Sequence, residues 1–205
     1  MRVPPGPYLR THLRVHSFLA DVPLHDVWPV MLQTRGPSRD IRDVKEIMLA
    51  MRNQPTDEVV SSLFRLRARL GKSFGWDARH DTIPQSSYIH RLTADDRAQT
   101  LVLPGAIDPA TGLREVYTFE NETLLEAVSN VAHAFVLLAI EPVAEGYIMY
   151  VAIYVKNTSW FTPLYLALID PFRRFIVYPV LIHDLEQAWS DLYAKRPQRP
   201  VARRR

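Results

Sequence analysis

TSWFTPLYLALIDPFRRFIVYPVLIHDLEQAWSDLY, residues 158–193, decides how the rest of the chain is read. Leu164, Leu168, Phe172, Phe175, Ile182, Leu185, Trp189 and Leu192 recur at steps of three, four or seven, which marks one face of a helix. Thr162 is placed to cap it, with Pro163 at the first helical position, where a missing N–H costs nothing. About thirty residues would extend on the order of 45 Å. A helix so long and apolar needs a large surface to lie against, and the strand-like segments before it supply a sheet. Pro171 and Pro179 each remove a backbone hydrogen bond and predict a kink or break. The alternative is two separate helices meeting at a corner at Pro171.

Composition bounds the class. The chain has 205 residues, 47% of them hydrophobic, which suits one domain with a core. It has no cysteine, so disulfides, thiolate metal sites and a cysteine nucleophile are excluded. The opening MRVPPGPYLR has prolines where a signal peptide needs an apolar run, and no stretch approaches the ~18 apolar residues of a membrane span. A soluble, cytoplasmic protein with no membrane contact is the expectation. Lys195, Arg196, Arg199, Arg203, Arg204 and Arg205 carry six positive charges; removing them from the net +3 leaves residues 1–194 at −3. Residues 195–205 read as a disordered basic, solubilising tail, and no nucleic-acid partner is expected.

Several further elements are expected along residues 1–194, read as a single domain. YLRTHLRVHSF (8–18) alternates as a first strand. Asp21 and Pro23 open a short helix through Val27, Trp28 and Met31, weakened by Pro29. A helical insertion follows at about 38–75. Its first helix, capped by Ser38 or Asp40, carries Ile41, Val44, Ile47, Met48 and Met51 on one face; its second, capped by Thr56, carries Leu63, Phe64, Leu66 and Leu70. YIHRL (88–92) and QTLVL (99–103) read as strands flanking a polar turn at 93–97. EVYTF (115–119) reads as a strand leading to ETLLEAV. VAHAFVLLAI (131–140) and YIMYVAIYVK (147–156) read as a central antiparallel hairpin. Strands grouped apart from helices indicate α+β with a curved antiparallel sheet gripping the long C-terminal helix.

The run GYIMYVAIYVKNTSWFTPLYLALIDPFRRFIVYPVL (146–181) resembles the end of a bacterial domain family of unknown function that also occurs appended to NAD-dependent epimerase-like proteins. The hallmark is a last strand, a short link, then L-Y-x-x-x-x-x-P-F-[HR], matched here by Leu164, Tyr165, Pro171, Phe172 and Arg173. The likeness covers residues 120–182. It implies a START-like (SRPBCC) helix-grip fold, shared by hydrophobic-ligand carriers and aromatase/cyclases. This chain has Arg173 where the family often has histidine, and Ala134 where it often has an acid.

There is no P-loop, G-x-G-x-x-G, G-x-S-x-G or H-E-x-x-H, so no cofactor and no metal are expected. His12 and His16, four apart, face the same side of the expected first strand, and His16 is a candidate ligand contact. His133 interrupts a very apolar strand; it is either an acid/base in a cavity or a hydrogen-bonded core histidine. Ile148, Tyr150, Ala152, Tyr154 and Lys156 share one face of the last strand, and Tyr147, Met149, Val151, Ile153 and Val155 the other. His133 and Tyr154 are the candidate catalytic residues. His16, Tyr117, Tyr150, Tyr165, Phe172 and Arg173 are the candidate ligand contacts. Glu120, Glu122 and Glu126 are potential acid/base carboxylates if buried, but such clusters are usually solvated.

Three functions compete. The first is a cavity between sheet and C-terminal helix that binds a small apolar molecule, as a cofactor-independent cyclase, dehydratase or isomerase of specialised metabolism. The second is a non-catalytic carrier or sensor. The third is an interaction module, with residues 41–70 as docking face, adaptable Met48 and Met51, and a homodimer as its expected assembly.

Overall fold

The computed structural model describes residues 5–34, 38–52, 82–108, 111, 113–129, 132–158 and 178–194. Among the described residues five strands form one sheet: β1 (Leu24–Gln33), β2 (Arg114–Thr118), β3 (Glu122–Val128), β4 (Ala132–Val143) and β5 (Gly146–Asn157). Their spatial order is β1-β5-β4-β3-β2, with every neighbouring pair antiparallel. Helices α1 (Val15–Phe18), α2 (Ile41–Arg52), α3 (Ala94–Gln99) and α4 (Tyr178–Trp189) accompany it, with 3₁₀ turns at Tyr8–Arg10 and Tyr88–Arg91. The class is α+β.

The expected hairpin is its centre. β4 and β5 pair from Ala132↔Asn157 to Val143↔Gly146. The expected turn at 141–146 shrinks to Ala144 and Glu145, because the strand continues to Val143. Gly146 has φ +143°, and a Cβ there would lie 2.1 Å from the Leu32 carbonyl oxygen. Glycine therefore lets β1 come alongside β5.

Two expectations near the N-terminus are corrected. Residues 8–18 form a 3₁₀ turn and α1 rather than a strand. The buried residues Val15, Phe18, Leu19 and Val22 follow the helical steps of three and four, so the reading by alternation followed the wrong period. The first strand is instead Leu24–Gln33, where a short helix is expected. Pro29 argues against a helix there, and an edge strand accommodates it, since its outer side needs no ladder donor.

Two strands expected in the middle are also absent. YIHRL is a 3₁₀ turn, entered through Ser87, whose Oγ accepts from the Ile89 N–H at 3.2 Å. The polar turn at 93–97 is the start of α3. Thr93 and Asp96 form a reciprocal capping box there, with bonds of 3.0 and 3.1 Å. QTLVL then runs irregularly along the outer edge of β2, where the Leu101 N–H donates to the Thr118 carbonyl at 2.7 Å.

The helix expected at 41–51 is present as α2. Asp40 serves its start, accepting from the Arg42 N–H at 2.8 Å. Residues 53–81, which hold the second expected helix, lie outside the described residues. So do 159–177, with Tyr165, Pro171, Phe172 and Arg173, and the tail 195–205. Of the C-terminal helix, α4 and a single π turn at Ser190–Ala194 are described.

Both faces of the sheet are covered. On one face Val30, Leu32, Leu138, Ile140 and Met149 pack under Ile41, Val44 and Ile47 of α2 and Leu185 and Trp189 of α4. The Trp189 indole N–H lies 2.9 Å from the Gln33 carbonyl and 3.0 Å from Thr34 Oγ1, fixing α4 to the end of β1. On the other face Tyr117, Leu124, Phe135, Leu137 and Tyr154 pack under Tyr8, Val15, Phe18, Leu19, Tyr88 and Ile89.

Candidate functional site

Strand β3 begins Glu-Thr-Leu-Leu-Glu, so Glu122, Leu124 and Glu126 alternate onto the face under the N-terminal segment. Both carboxylates are buried, Glu122 at 0% exposure and Glu126 at 1%. The expectation that this cluster is solvated holds only for Glu120. A buried carboxylate needs partners or a proton, and the two glutamates meet that demand differently.

Glu126 is fully partnered. It accepts from Ser87 Oγ and from the Tyr88 N–H at 3.1 Å. His133 Nε2 lies 3.0 Å from its Oε2. Burial pushes the carboxyl up, but the bonds from His133, Ser87 and Tyr88 outweigh it and hold it below its ordinary range. His133 is 3% exposed, stacked on Phe135 at 4.3 Å and edge-on to Tyr88 at 5.2 Å. It is thus a hydrogen-bonded core histidine with a carboxylate partner.

Glu122 is the opposite case. Neither oxygen makes a hydrogen bond of good geometry, and the buried Tyr117 hydroxyl beside it has none either. Burial pushes the Glu122 carboxyl up to about 7; the nearby Tyr117 hydroxyl, the backbone at Val15 and Arg14 and the Arg14 charge offset part of that rise. Burial and the Glu122 charge push the Tyr117 hydroxyl well above its usual range. A carboxyl near 7 exchanges its proton at neutral pH, which is what a general acid or base requires.

A tyrosine group lies on the same face of the sheet, Tyr150 in the row of Glu122 and Tyr154 in the row of Glu126. Tyr8 Oη and Tyr154 Oη are 2.6 Å apart, and the Tyr8 ring lies 5.3 Å from Tyr150. Burial pushes Tyr154 up to about 12, the Tyr8 bond lowers it, and the Glu122 charge raises it. Tyr8 is raised further, by burial, by Tyr154 and by the Glu122 charge. In the register, Glu122 pairs with Ala139 and Ala139 with Tyr150. Two strand spacings separate Glu122 from Tyr150, about 10 Å at ~4.8 Å each, with alanine between. Ala152 follows in the next row, beside Leu137.

Tyr117, Tyr150, Tyr154, His133 and His16 are therefore all on the face covered by the N-terminal segment, away from α4. His16 is on α1, not a strand, with Nε2 2.8 Å from Thr11 Oγ1 and its ring 4.9 Å from Tyr8. Burial lowers its pKa. Among the described residues no group of three His, Cys, Asp or Glu is arranged to hold a metal ion, and no helix is long and apolar enough to cross a membrane. Tyr8 escaped the sequence reading, because nothing local marks a residue placed 146 positions from its partner. Glu122 was legible only as a carboxylate of use if buried; its burial was not, because acids clustered after a strand are usually solvated.

The opposite face holds a second polar group. Lys45 Nζ lies 3.1 Å from Asp108 Oδ2 and also pairs with Glu115, which accepts from Thr118 Oγ1 at 2.9 Å. These groups satisfy one another and clasp α2 to β2.

No curated protein and no solved structure matches the chain. A family model described as a protein of unknown function (DUF2867) matches residues 18–180, about four-fifths of the chain and all five strands, and the chain belongs to that family.

Proposed function

We propose that this protein is a START-like helix-grip domain that binds a small, largely apolar molecule and holds its polar end with Glu122, Tyr117, Tyr8 and Tyr154. Three features support the fold reading. The first strand pairs with the last, α2 is inserted after the first strand, and α4 follows the last strand and packs on the sheet. One observation carries the functional reading. A buried carboxyl and a buried phenol stand side by side, and neither has a good hydrogen-bond partner. Buried polar groups are ordinarily satisfied, and leaving one unmade costs about 1–3 kcal/mol. A ligand oxygen would satisfy both. The surroundings are aromatic and aliphatic, as expected of a site that takes a mostly apolar molecule. This reading moves the ligand from the α4 side of the sheet to the side of the N-terminal segment. The interaction-module reading loses support at α2, whose Ile41, Val44 and Ile47 are buried, with Met48 and Met51 packed against the same core.

The test is native mass spectrometry of freshly purified protein, beside denaturing extraction. A drug-sized molecule is expected on the wild type and is expected to be depleted in Glu122→Ala and Tyr117→Phe. Undiminished ligand in both variants refutes this placement. An empty, stable dimer favours the interaction reading instead.

A further inference from the structure

We infer that the Glu122 site takes an uncharged carbonyl compound and moves a proton between its carbons, with Glu122 as the base and the Tyr117 and Tyr8–Tyr154 hydroxyls holding the carbonyl oxygen. The inference rests on the ligand reading above and goes further by naming the substrate class and the step.

Charge selects the class. The groups that face Glu122 are Tyr8 and Arg14 from the N-terminal segment, Tyr117 from β2 and Tyr154 from β5. Arg14 is already committed, its Nε and Nη2 lying 2.9 and 3.0 Å from the two oxygens of Asp96. A carboxylate or phosphate ligand would meet an acid and three phenols, with that cation already neutralised. A neutral molecule avoids the repulsion. Hydroxyl counting selects the polar group. Tyr8 and Tyr154 share one hydrogen bond, so one of their two protons remains to donate; Tyr117 has a second. Two donors opposite a carboxylate suit a carbonyl oxygen that becomes an oxyanion.

The step balances without a co-reactant. The Glu122 carboxylate takes a proton from the carbon next to the carbonyl. The C–H electron pair forms a C=C bond, and the C=O π pair moves to oxygen, which the tyrosine hydroxyls stabilise. Where the substrate carries a C=C bond one carbon further from the carbonyl, Glu122 then returns the proton to the far carbon of that bond; its π pair forms the new C–H bond, the C=C bond moves next to the carbonyl, and the C=O bond re-forms. Nothing is oxidised or reduced. A carboxyl near 7 is half deprotonated at neutral pH and able to act in both directions.

The test uses the full chain with 2-tetralone, a neutral ketone with acidic C–H bonds, and 2-naphthoate, an anion of similar shape. Binding is read by calorimetry, and proton abstraction by deuterium incorporation into 2-tetralone in D2O. The ketone is expected to bind and the anion not. Wild type is expected to incorporate deuterium at least about 10²-fold faster than Glu122→Gln. That advantage should rise as pH passes through 7 and then level off. Tyr117→Phe should slow exchange and bind the ketone more weakly than wild type. Ketone binding with equal exchange in wild type and Glu122→Gln overturns the base assignment and leaves the ligand reading standing. Comparable binding of 2-naphthoate overturns the neutral class. Binding of neither probe, together with an empty protein in the extraction, overturns the ligand reading and this inference with it.

Discussion

Replacing Glu122 with glutamine should stabilise the protein in alkali and leave it unchanged in mild acid. The carboxyl sits at about 7 in the folded chain and near 4.5 when exposed. Between those values the folded state holds a proton that the unfolded state has released. Stability therefore falls as pH rises through this window, by about 1.4 kcal/mol per pH unit where the difference is complete. The accumulated loss is about 3 kcal/mol above pH 7. Glutamine is neutral throughout and escapes it. At pH 8 Glu122→Gln should melt higher than wild type by several degrees, at roughly 2–4 °C per kcal/mol for a chain of this size. Near pH 4.5 the two should coincide. His16, held below its usual range by burial, has the opposite sign, since its penalty fades as pH rises toward 6.5. Because both proteins carry it, the difference between them isolates Glu122. The assay is thermal denaturation from pH 4.5 to 8.5. A difference that does not change with pH would sink the reasoning, as would a variant markedly less stable than wild type at pH 8.

The Tyr8–Tyr154 pair should show coupling in a double-mutant cycle. Each single Tyr→Phe change leaves a buried hydroxyl alone and should cost about 1–3 kcal/mol, while the double change should cost less than their sum, as read from urea unfolding. Strict additivity would mean the hydroxyls do not bond. His133→Ala removes one of three donors to Glu126 and should cost about 3 kcal/mol at pH 6, toward the low end for a broken buried pair because Ser87 and the Tyr88 N–H remain. Glu126 titrates below its ordinary range, so its contribution is present above 4.5 and lost as pH falls through the lower folded value. The cost of His133→Ala should accordingly shrink near pH 3; an equal cost at both pH values would argue that Glu126 is not the partner that matters.

The amino-acid sequence alone determined the central hairpin, because VAHAFVLLAI and YIMYVAIYVK combine β-branched and aromatic content on either side of a turn-like EPVAEG, although the structure shortens that turn to two residues. It determined α2 and the inward Ile182, Leu185 and Trp189 of α4, since a period near 3.6 and an acidic cap are local properties. It also placed Tyr150 and Tyr154 together, because a strand's alternation is fixed once the strand exists. Tertiary structure decided the rest. Residues 24–33 are a strand because β5 offers an edge that accepts Pro29, and no local signal records that edge. Periodicity sorts residues onto two faces but carries no label for which face meets which cover. Only packing put the tyrosines, His133 and both buried glutamates under the N-terminal segment rather than under α4. The same packing separates two glutamates four residues apart on one strand. Ser87, Tyr88 and His133 reach Glu126 and keep its charge, whereas no donor with good geometry reaches Glu122, which holds its proton to near neutral pH.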